Sequence, residues 1–256
     1  MFAAKLNLVL QHRLRRELSF VRARLSPEGL FGLYFTIGTV VFVGAAWLFG
    51  ALAEDVVNRD LLVLIDERIS DWFRFHAPPR FTAEAHFATA LASTAAISVL
   101  FAMMSCFFLW KRRWYGLLKL VLAVPGGMLL DMTLKNLFDR ARPGWADPVL
   151  ALSDYSFPSG HTMMATIAYG FIAIYVIHRI ASWPWRVFVA TTATLLVLLV
   201  ALSRMDLGAH YLSDVLAAMA AGIAWLAFCL TAVETLRRYR VDADKKLMES
   251  RQANGD

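Results

Sequence analysis

Charged residues and cysteines are scarce in this sequence. Only 18% of its 256 residues are charged and two are cysteines, whereas 59% are hydrophobic and the mean hydropathy is +0.53. Soluble domains carry about 25% charged residues, so this composition argues against a soluble fold and predicts a polytopic membrane protein. Cys106 and Cys229 both lie inside apolar runs, where a thiol behaves as a small hydrophobic group, and we expect no disulfide.

Patterns of metal ligands are missing as well. The sequence has no Asp/Glu cluster with the spacing of a hard-cation site and no Cys/His set for zinc, so we expect neither a metal nor another cofactor. The net charge of +6 comes from Lys and Arg residues beside apolar runs, which is typical of cytoplasmic helix ends rather than of nucleic-acid binding. Nothing in the sequence indicates an obligatory protein partner.

Six apolar runs are each about as long as the ~20 residues that cross a bilayer core. They cover approximately residues 30–52, 83–110, 115–137, 162–180, 187–203 and 211–236. The sequence therefore predicts an all-α polytopic membrane protein with six transmembrane helices. We divide it into a basic amphipathic N-terminal segment (1–28), a six-span membrane domain (29–237) and a C-terminal tail (238–256).

Basic residues indicate the orientation in the membrane. Lys and Arg follow the second, fourth and sixth apolar runs, and the positive-inside rule places those ends in the cytoplasm. Both termini are then cytoplasmic, and the loops at 54–80, 138–160 and 204–210 lie on the outer side.

The outer loop at 54–80 contains a further predicted helix. Its apolar residues recur at helical spacing until Pro78 and Pro79 end the pattern. The recurring residues are Leu61, Leu64, Ile65, Ile69 and Trp72. We expect an amphipathic helix along the outer surface, which acts as a lid or lipid-entry ramp or simply packs on the bundle.

Ionisable residues between the last two spans give the clearest sign of chemistry. Arg204 ends one apolar run, His210 precedes the next, and Asp214 follows His210 by four residues. On a helix this spacing brings Asp214 within reach of His210, and a carboxylate on one imidazole nitrogen leaves the other basic and nucleophilic. A buried structural His–Asp pair would give the same pattern.

Two other outer segments bring polar groups to the same face. Lys135 lies near the end of the third span, Arg142 follows in the loop, and Ser159 and Gly160 open the fourth span. Lysine and arginine suit phosphate oxygens, and the backbone amides of a helix N-terminus, which glycine leaves accessible, point at anions. These segments predict a phosphate-binding cradle. Its members are Lys135, Arg142, Ser159, Gly160 and Arg204.

Three histidine and aspartate side chains beside this cradle fit phosphoryl transfer. His210 would attack phosphorus to form a phosphohistidine, and Asp214 would orient its imidazole. His161 would protonate the leaving group and then activate the water that releases phosphate.

Three motifs in these segments resemble the signature motifs of the type 2 phosphatidic acid phosphatase family. They are Lys135-(six residues)-Arg142-Pro143, Pro158-Ser159-Gly160-His161 and Ser203-Arg204-(five residues)-His210-(three residues)-Asp214. The resemblance extends over about residues 55–220 and implies the same roles for the cradle, for His161 and for the His210–Asp214 pair. The sequence departs from the pattern at Asp206, whose extra carboxylate could lower the positive potential of the site, and at Leu212, where proline is frequent.

The six-span arrangement is similar to the bacterial membrane branch of that family. Members of this branch dephosphorylate phosphatidylglycerol phosphate, phosphatidate or undecaprenyl pyrophosphate. The resemblance implies a lipid phosphate hydrolase of the bacterial inner membrane with its active site on the periplasmic face. Two alternatives stay open, namely a lipid phosphotransferase that uses the same intermediate and a non-catalytic lipid-binding or transport protein.

Overall fold

The structure, a computed structural model, describes residues 32–76, 81–147 and 155–253, and most of these residues are helical. Eight helices follow one another in this part of the chain. They are α1 (Leu33–Asn58), α2 (Leu61–His76), α3 (Phe81–Ala90), α4 (Thr94–Trp110), α5 (Trp114–Phe138), α6 (Gly160–Ile177), α7 (Trp183–Asp206) and α8 (Leu212–Ala253). The predicted amphipathic segment at 1–28 lies outside the described residues.

Six segments of the described chain are long and apolar enough to cross a membrane. Helices α1, α5, α6, α7 and α8 each supply one, and α3 and α4 together supply Ala83–Trp110. This confirms the predicted all-α, six-span architecture. The outer helix between the first two spans is present as well, as α2.

Helix α6 lies at the centre of the bundle, where it contacts α5, α7 and α8. Met163, Ala165 and Ile167 on α6 are completely buried. In contrast, α1 packs along α8 and exposes large apolar side chains such as Val40 and Trp47. Exposed apolar side chains on peripheral helices are expected for a bundle that is surrounded by lipid.

Two glycines bring α5 close to its neighbours. A Cβ atom at Gly127 would lie 2.5 Å from Cδ1 of Ile167, and one at Gly126 would lie 2.8 Å from Cζ2 of Trp225. Small residues at such contacts let membrane helices approach closely. Despite Pro125, α5 continues from Trp114 to Phe138 and so carries Lys135 to the site described below.

Several helix ends differ from the predicted ones, because local backbone turns set them and hydropathy does not. Helix α1 continues past the predicted limit of residue 52 and stops at Arg59, which adopts a left-handed conformation with φ 57°. Helix α7 extends through Arg204 to Asp206, and α8 runs without a break through the predicted tail to Ala253.

The outer helix α2 packs on α1, α7 and α8. Four of the five apolar residues that predicted it are exposed, while the face toward the bundle buries Asp66 and Ser70. The exposed four are Leu61, Leu64, Ile65 and Trp72. The sequence pattern therefore identified the helix but not the polar face that attaches it to the protein.

Candidate active site

A cavity of about 220 Å³ lies at the end of the bundle where α5 ends and α6 begins. Six of the eight predicted site residues line it. They are Lys135, Arg142, Gly160, His161, Arg204 and His210. The remainder of the wall is mostly apolar and includes Ile97, Met128 and Met164. Predicted site residues separated by up to 75 positions, from Lys135 to His210, thus surround one space.

His210 lies in the short connection between α7 and α8 and is only 3% exposed. The turn before it contains Gly208 at φ 63°, a conformation that glycine adopts without strain. The backbone amides of Ala209 and His210 both donate to the carbonyl of Arg204, at 3.0 and 3.2 Å. This turn fixes the imidazole against the end of α7.

The two ring nitrogens of His210 face different partners. Nδ1 lies 3.5 Å from Oδ2 of Asp214 and 3.5 Å from Oγ of Ser156, while Nε2 lies 3.2 Å from Nη1 of Arg142. Because arginine has no acceptor, the contact with Arg142 requires a lone pair on Nε2, and the proton then resides on Nδ1. This is the tautomer that a nucleophilic Nε2 needs.

Burial lowers the pKa of His210 to about 4, although the hydrogen bond and the negative charge of Asp214 act in the opposite direction. The positive charges of Arg204 and Arg142 lower it further. The imidazole is therefore neutral at neutral pH. A neutral imidazole is the form that can attack an electrophile.

The cationic side chains of the cavity are held by neighbours. Arg142 donates to the carbonyls of Ala209 at 2.7 Å and Tyr155 at 3.1 Å. Arg204 is 1% exposed and donates to Oγ1 of Thr89 in α3 at 2.9 Å. These contacts aim both guanidinium groups into the cavity before any ligand arrives, so little ordering is required on binding.

Gly160 at the start of α6 lies against an ion pair of α5. Nζ of Lys135 and Oδ2 of Asp131 are 3.6 Å apart, and a Cβ atom at residue 160 would lie 2.7 Å from that Asp131 oxygen. Any side chain at this position would displace the pair. The glycine thus lets the amide end of α6 approach Lys135 and Asp131.

Ser159 and Asp214 do not line the cavity. Ser159 precedes α6, shares a hydrogen bond of 3.0 Å with Oγ1 of Thr162, and donates its backbone amide to the Asp214 carbonyl at 3.2 Å. Asp214 is completely buried beside Nδ1 of His210, where it also accepts from the Tyr211 amide at 2.8 Å. Asp206 ends α7 away from the cavity wall.

Sequence reasoning missed a buried network next to Asp214. Arg140 donates through Nη1 to Oδ1 of Asp214 at 2.5 Å and through Nη2 to Oδ2 of Asp66 at 2.8 Å. Ser213 donates its amide and its hydroxyl to Asp66, at 2.9 and 2.5 Å. Ser156 donates to the second oxygen of Asp214. The outer helix α2 is thereby connected to the carboxylate that faces His210.

Arg140 remains charged in this network. Burial lowers its pKa, but the carboxylates of Asp214 and Asp66 outweigh burial and hold the pKa above its ordinary value. One cation thus compensates two buried anions. Asp66 lies among other charged residues of α2, namely Glu67, Arg68 and Asp71, so the sequence alone did not single it out.

No group of three His, Cys, Asp or Glu side chains within residues 32–76, 81–147 and 155–253 is arranged to hold a metal ion. Most polar groups of the cavity are nitrogen groups of Lys, Arg and His, beside the carboxylate of Asp131 and the hydroxyl of Thr94. Such donors favour an anion, and phosphate oxygens in particular suit the arginine fork.

Comparisons with known proteins identify relatives. Residues 115–238 match the model of the PAP2 superfamily. Phosphatidylglycerophosphatase B of Bacillus subtilis (strain 168) is 33% identical over 134 residues, which are 52% of this chain and 65% of that protein. The chain thus spans slightly less than two thirds of the length of this curated relative.

Two solved structures share the architecture. The crystal structure of the first transmembrane PAP2 type phosphatidylglycerolphosphate phosphatase, from Bacillus subtilis, superposes with a TM-score of 0.65 at 27% identity and covers 73% of this chain and 93% of that one. Aquifex aeolicus LpxE superposes with a TM-score of 0.52 at 21% identity, covering 65% and 94%. The second likeness concerns the fold alone.

Proposed function

Because this chain carries a PAP2 superfamily domain and is homologous to a bacterial phosphatidylglycerophosphatase, we propose that it is an integral membrane lipid phosphatase. Its substrate would be a lipid with a terminal phosphate or pyrophosphate, such as phosphatidylglycerol phosphate, phosphatidate or undecaprenyl pyrophosphate. The observation that carries the proposal is the position of His210 Nε2, 3.2 Å from Nη1 of Arg142 in a cavity that Lys135 and Arg204 also line.

The reaction would proceed in two displacements. Nε2 of His210 forms a bond to phosphorus while the bond from phosphorus to the lipid oxygen breaks. That oxygen takes a proton from His161 and leaves as an alcohol, or as a lipid monophosphate if the substrate is a pyrophosphate. Asp214 at Nδ1 stabilises the positive charge on the phosphorylated imidazole.

The second displacement returns the enzyme to its first state. Water attacks phosphorus, gives its proton to His161, and the bond between phosphorus and Nε2 breaks to release inorganic phosphate. Arg142, Arg204, Lys135 and the α6 N-terminus would bind the equatorial oxygens in both steps. These positive side chains and backbone amides would stabilise the negative charge that develops on the phosphoryl oxygens.

Purified protein tests the proposal directly. We expect release of inorganic phosphate in detergent and excess EDTA from at least one of the three lipids, and none from the His210→Gln variant. Phosphate found on an added lipid acceptor instead of in solution would identify a phosphotransferase. No transfer from any of the three lipids to water or acceptor would favour a non-catalytic lipid-binding protein and contradict the proposal.

Replacing Arg204 by lysine should lower kcat/KM about a hundredfold, because a point charge replaces the planar donor group. Arg186→Lys is the matched control, since Arg186 lies at the other end of the same helix. The measurement is phosphate release by both variants under identical conditions. Equal activities of the two variants would remove Arg204 from the phosphate-binding set.

The pH dependence of kcat/KM should reflect the low pKa of His210. Since His210 stays neutral in the folded protein down to about pH 4, activity is not lost through its protonation at the ordinary histidine value of 6.5. The free energy of unfolding should fall as pH drops from 6.5 toward 4, where only the unfolded state gains the proton. A fall of kcat/KM centred near pH 6.5 on the acidic side, after correction for titration of the substrate phosphate, would contradict the low pKa of His210.

We also propose a bacterial inner membrane location, with both termini cytoplasmic and the cavity on the periplasmic side. Gly144 is exposed, with open space around it, and suits a Gly144→Cys reporter in a Cys106→Ser, Cys229→Ala background. In intact spheroplasts, an impermeant maleimide should label the Gly144→Cys protein. The same reagent should label a Lys111→Cys protein only after the spheroplasts are lysed. The reverse pattern would place the active site in the cytoplasm.

A further inference from the structure

A second, larger cavity of about 500 Å³ lies at the other end of the bundle. Lys119 in its wall is 16 residues before Lys135 on α5, and Glu234 is 20 residues after Asp214 on α8. At about 1.5 Å per residue these separations are roughly 24 and 30 Å. The two cavities thus lie about one bilayer core apart, on opposite membrane faces.

The wall of this inner cavity is strongly basic. Its ionisable residues, apart from two tyrosines and one histidine, are Arg113, Lys119, Arg179, Arg237, Arg238 and Glu234. Five positive side chains against one carboxylate leave four positive charges. These residues come from the start of α5, the turn after α6 and the later part of α8. A basic helix end alone does not require such convergence around a cavity.

Glu234 is buried and shared by three of the cations. It accepts from Lys119 at 2.9 Å, from Arg237 at 2.5 Å and from Arg238 at 3.4 Å. A single carboxylate balances only one of these charges. Lys119, Arg237 and Arg238 are held at the cavity by these ion pairs, and Glu234 is the one acid in the cavity wall, so the excess positive charge favours binding of an anion.

Tyr175 and Arg179 form another part of the cavity wall. The Arg179 guanidinium stacks at 3.5 Å over the Tyr175 ring and donates to the Tyr175 carbonyl at 3.0 Å. The Tyr175 hydroxyl is buried and makes no hydrogen bond to any described residue. Buried hydroxyl groups are usually paired, so this hydroxyl is available to donate a hydrogen bond to a ligand in the cavity.

Apolar side chains complete the wall, among them Phe108, Phe171 and Leu230. A space with basic groups and apolar groups side by side fits an amphiphile better than a small free ion. We propose that the inner cavity binds the phosphate of an anionic phospholipid head group, at the membrane face opposite the catalytic cavity. This proposal does not depend on the catalytic reaction.

Binding of short-chain phosphatidylglycerol to the purified full-length protein tests the proposal, with short-chain phosphatidylcholine as the neutral-head-group control. Lys119→Gln combined with Arg179→Gln should weaken phosphatidylglycerol binding about 25-fold, at roughly fivefold per basic residue. Lys111→Gln with Arg112→Gln is the matched control, because these basic residues lie at the same end and do not line the cavity. Equal losses in both pairs would overturn the proposal.

Two further variants keep the test decisive. Tyr175→Phe removes only the unbonded hydroxyl, so it should remain folded yet weaken phosphatidylglycerol binding several-fold; unchanged binding would count against the site. Arg204→Gln, in the catalytic cavity, should leave this binding in place, and loss of binding there would move the lipid to the active site.

Displacement of the lipid by equimolar inorganic phosphate would identify a free anion as the ligand and refute the lipid assignment.

Discussion

Replacing His210 by glutamine should abolish turnover while the protein remains folded. Glutamine retains a polar side chain of similar length but cannot attack phosphorus, so we expect kcat to fall by at least about a thousandfold. Phosphate release and thermal unfolding, measured on the same preparation, separate lost chemistry from lost structure.

His86→Gln is the control for this substitution. His86 also pairs with a carboxylate, Asp147 at 3.0 Å, but it does not line the catalytic cavity. We expect it to keep most of the activity. If His210→Gln retained more than about a tenth of wild-type activity, His210 would not be the nucleophile, and the mechanism above would fail.

Replacing Arg140 by methionine should cause the largest loss of stability. Methionine cannot compensate Asp66 and Asp214, both of which have no exposed surface, and removal of one partner from a buried ion pair costs about 3–5 kcal/mol. Activity should fall as well, because Asp214 loses the contact that holds it beside His210. Unfolding monitored in detergent and phosphate release measure the two effects.

A double-mutant cycle shows whether Arg140 acts through Asp66. Asp66→Asn combined with Arg140→Met should cost less than the sum of the two single changes, because the first removes one of the charges that the second leaves unpaired. Arg68→Met is the control, since Arg68 lies on α2 like Asp66 but is exposed. If the losses in the free energy of unfolding were additive, Asp66 and Arg140 would not be energetically coupled despite their contact.

The features that the sequence predicts well are those that depend on short, continuous stretches of the chain. Apolar runs of sufficient length identify the six spans, because a bilayer imposes that length on every helix. Lys135, Arg142 and His161 could be placed on one face because each lies at an end of a span on the same side. The structure brings these three to one cavity, as this counting predicts.

The features that escaped prediction depend on contacts between distant residues. Arg140 meets Asp66 and Asp214 across 74 positions each, and nothing local distinguishes Arg140 from an ordinary loop arginine. Asp66 was hidden because the more apolar face of α2 is the exposed one, a reversal that membrane surroundings permit. The inner cavity was hidden for a similar reason, since basic residues there satisfy the positive-inside rule without any ligand.

The phosphohistidine itself is the most direct test of the account. An aryl phosphate, whose leaving group needs no proton, should phosphorylate the His161→Asn variant in EDTA, and the phosphoenzyme should accumulate because water is no longer activated. Mass spectrometry after an alkaline quench, which preserves the acid-labile bond between phosphorus and nitrogen, should find one phosphoryl group on His210 and none in the His210→Gln variant. The mechanism would be contradicted if the wild type hydrolysed the aryl phosphate but the phosphoryl group was found on a residue other than His210. It would also be contradicted if the wild type hydrolysed the aryl phosphate but no phosphoenzyme was found in any variant.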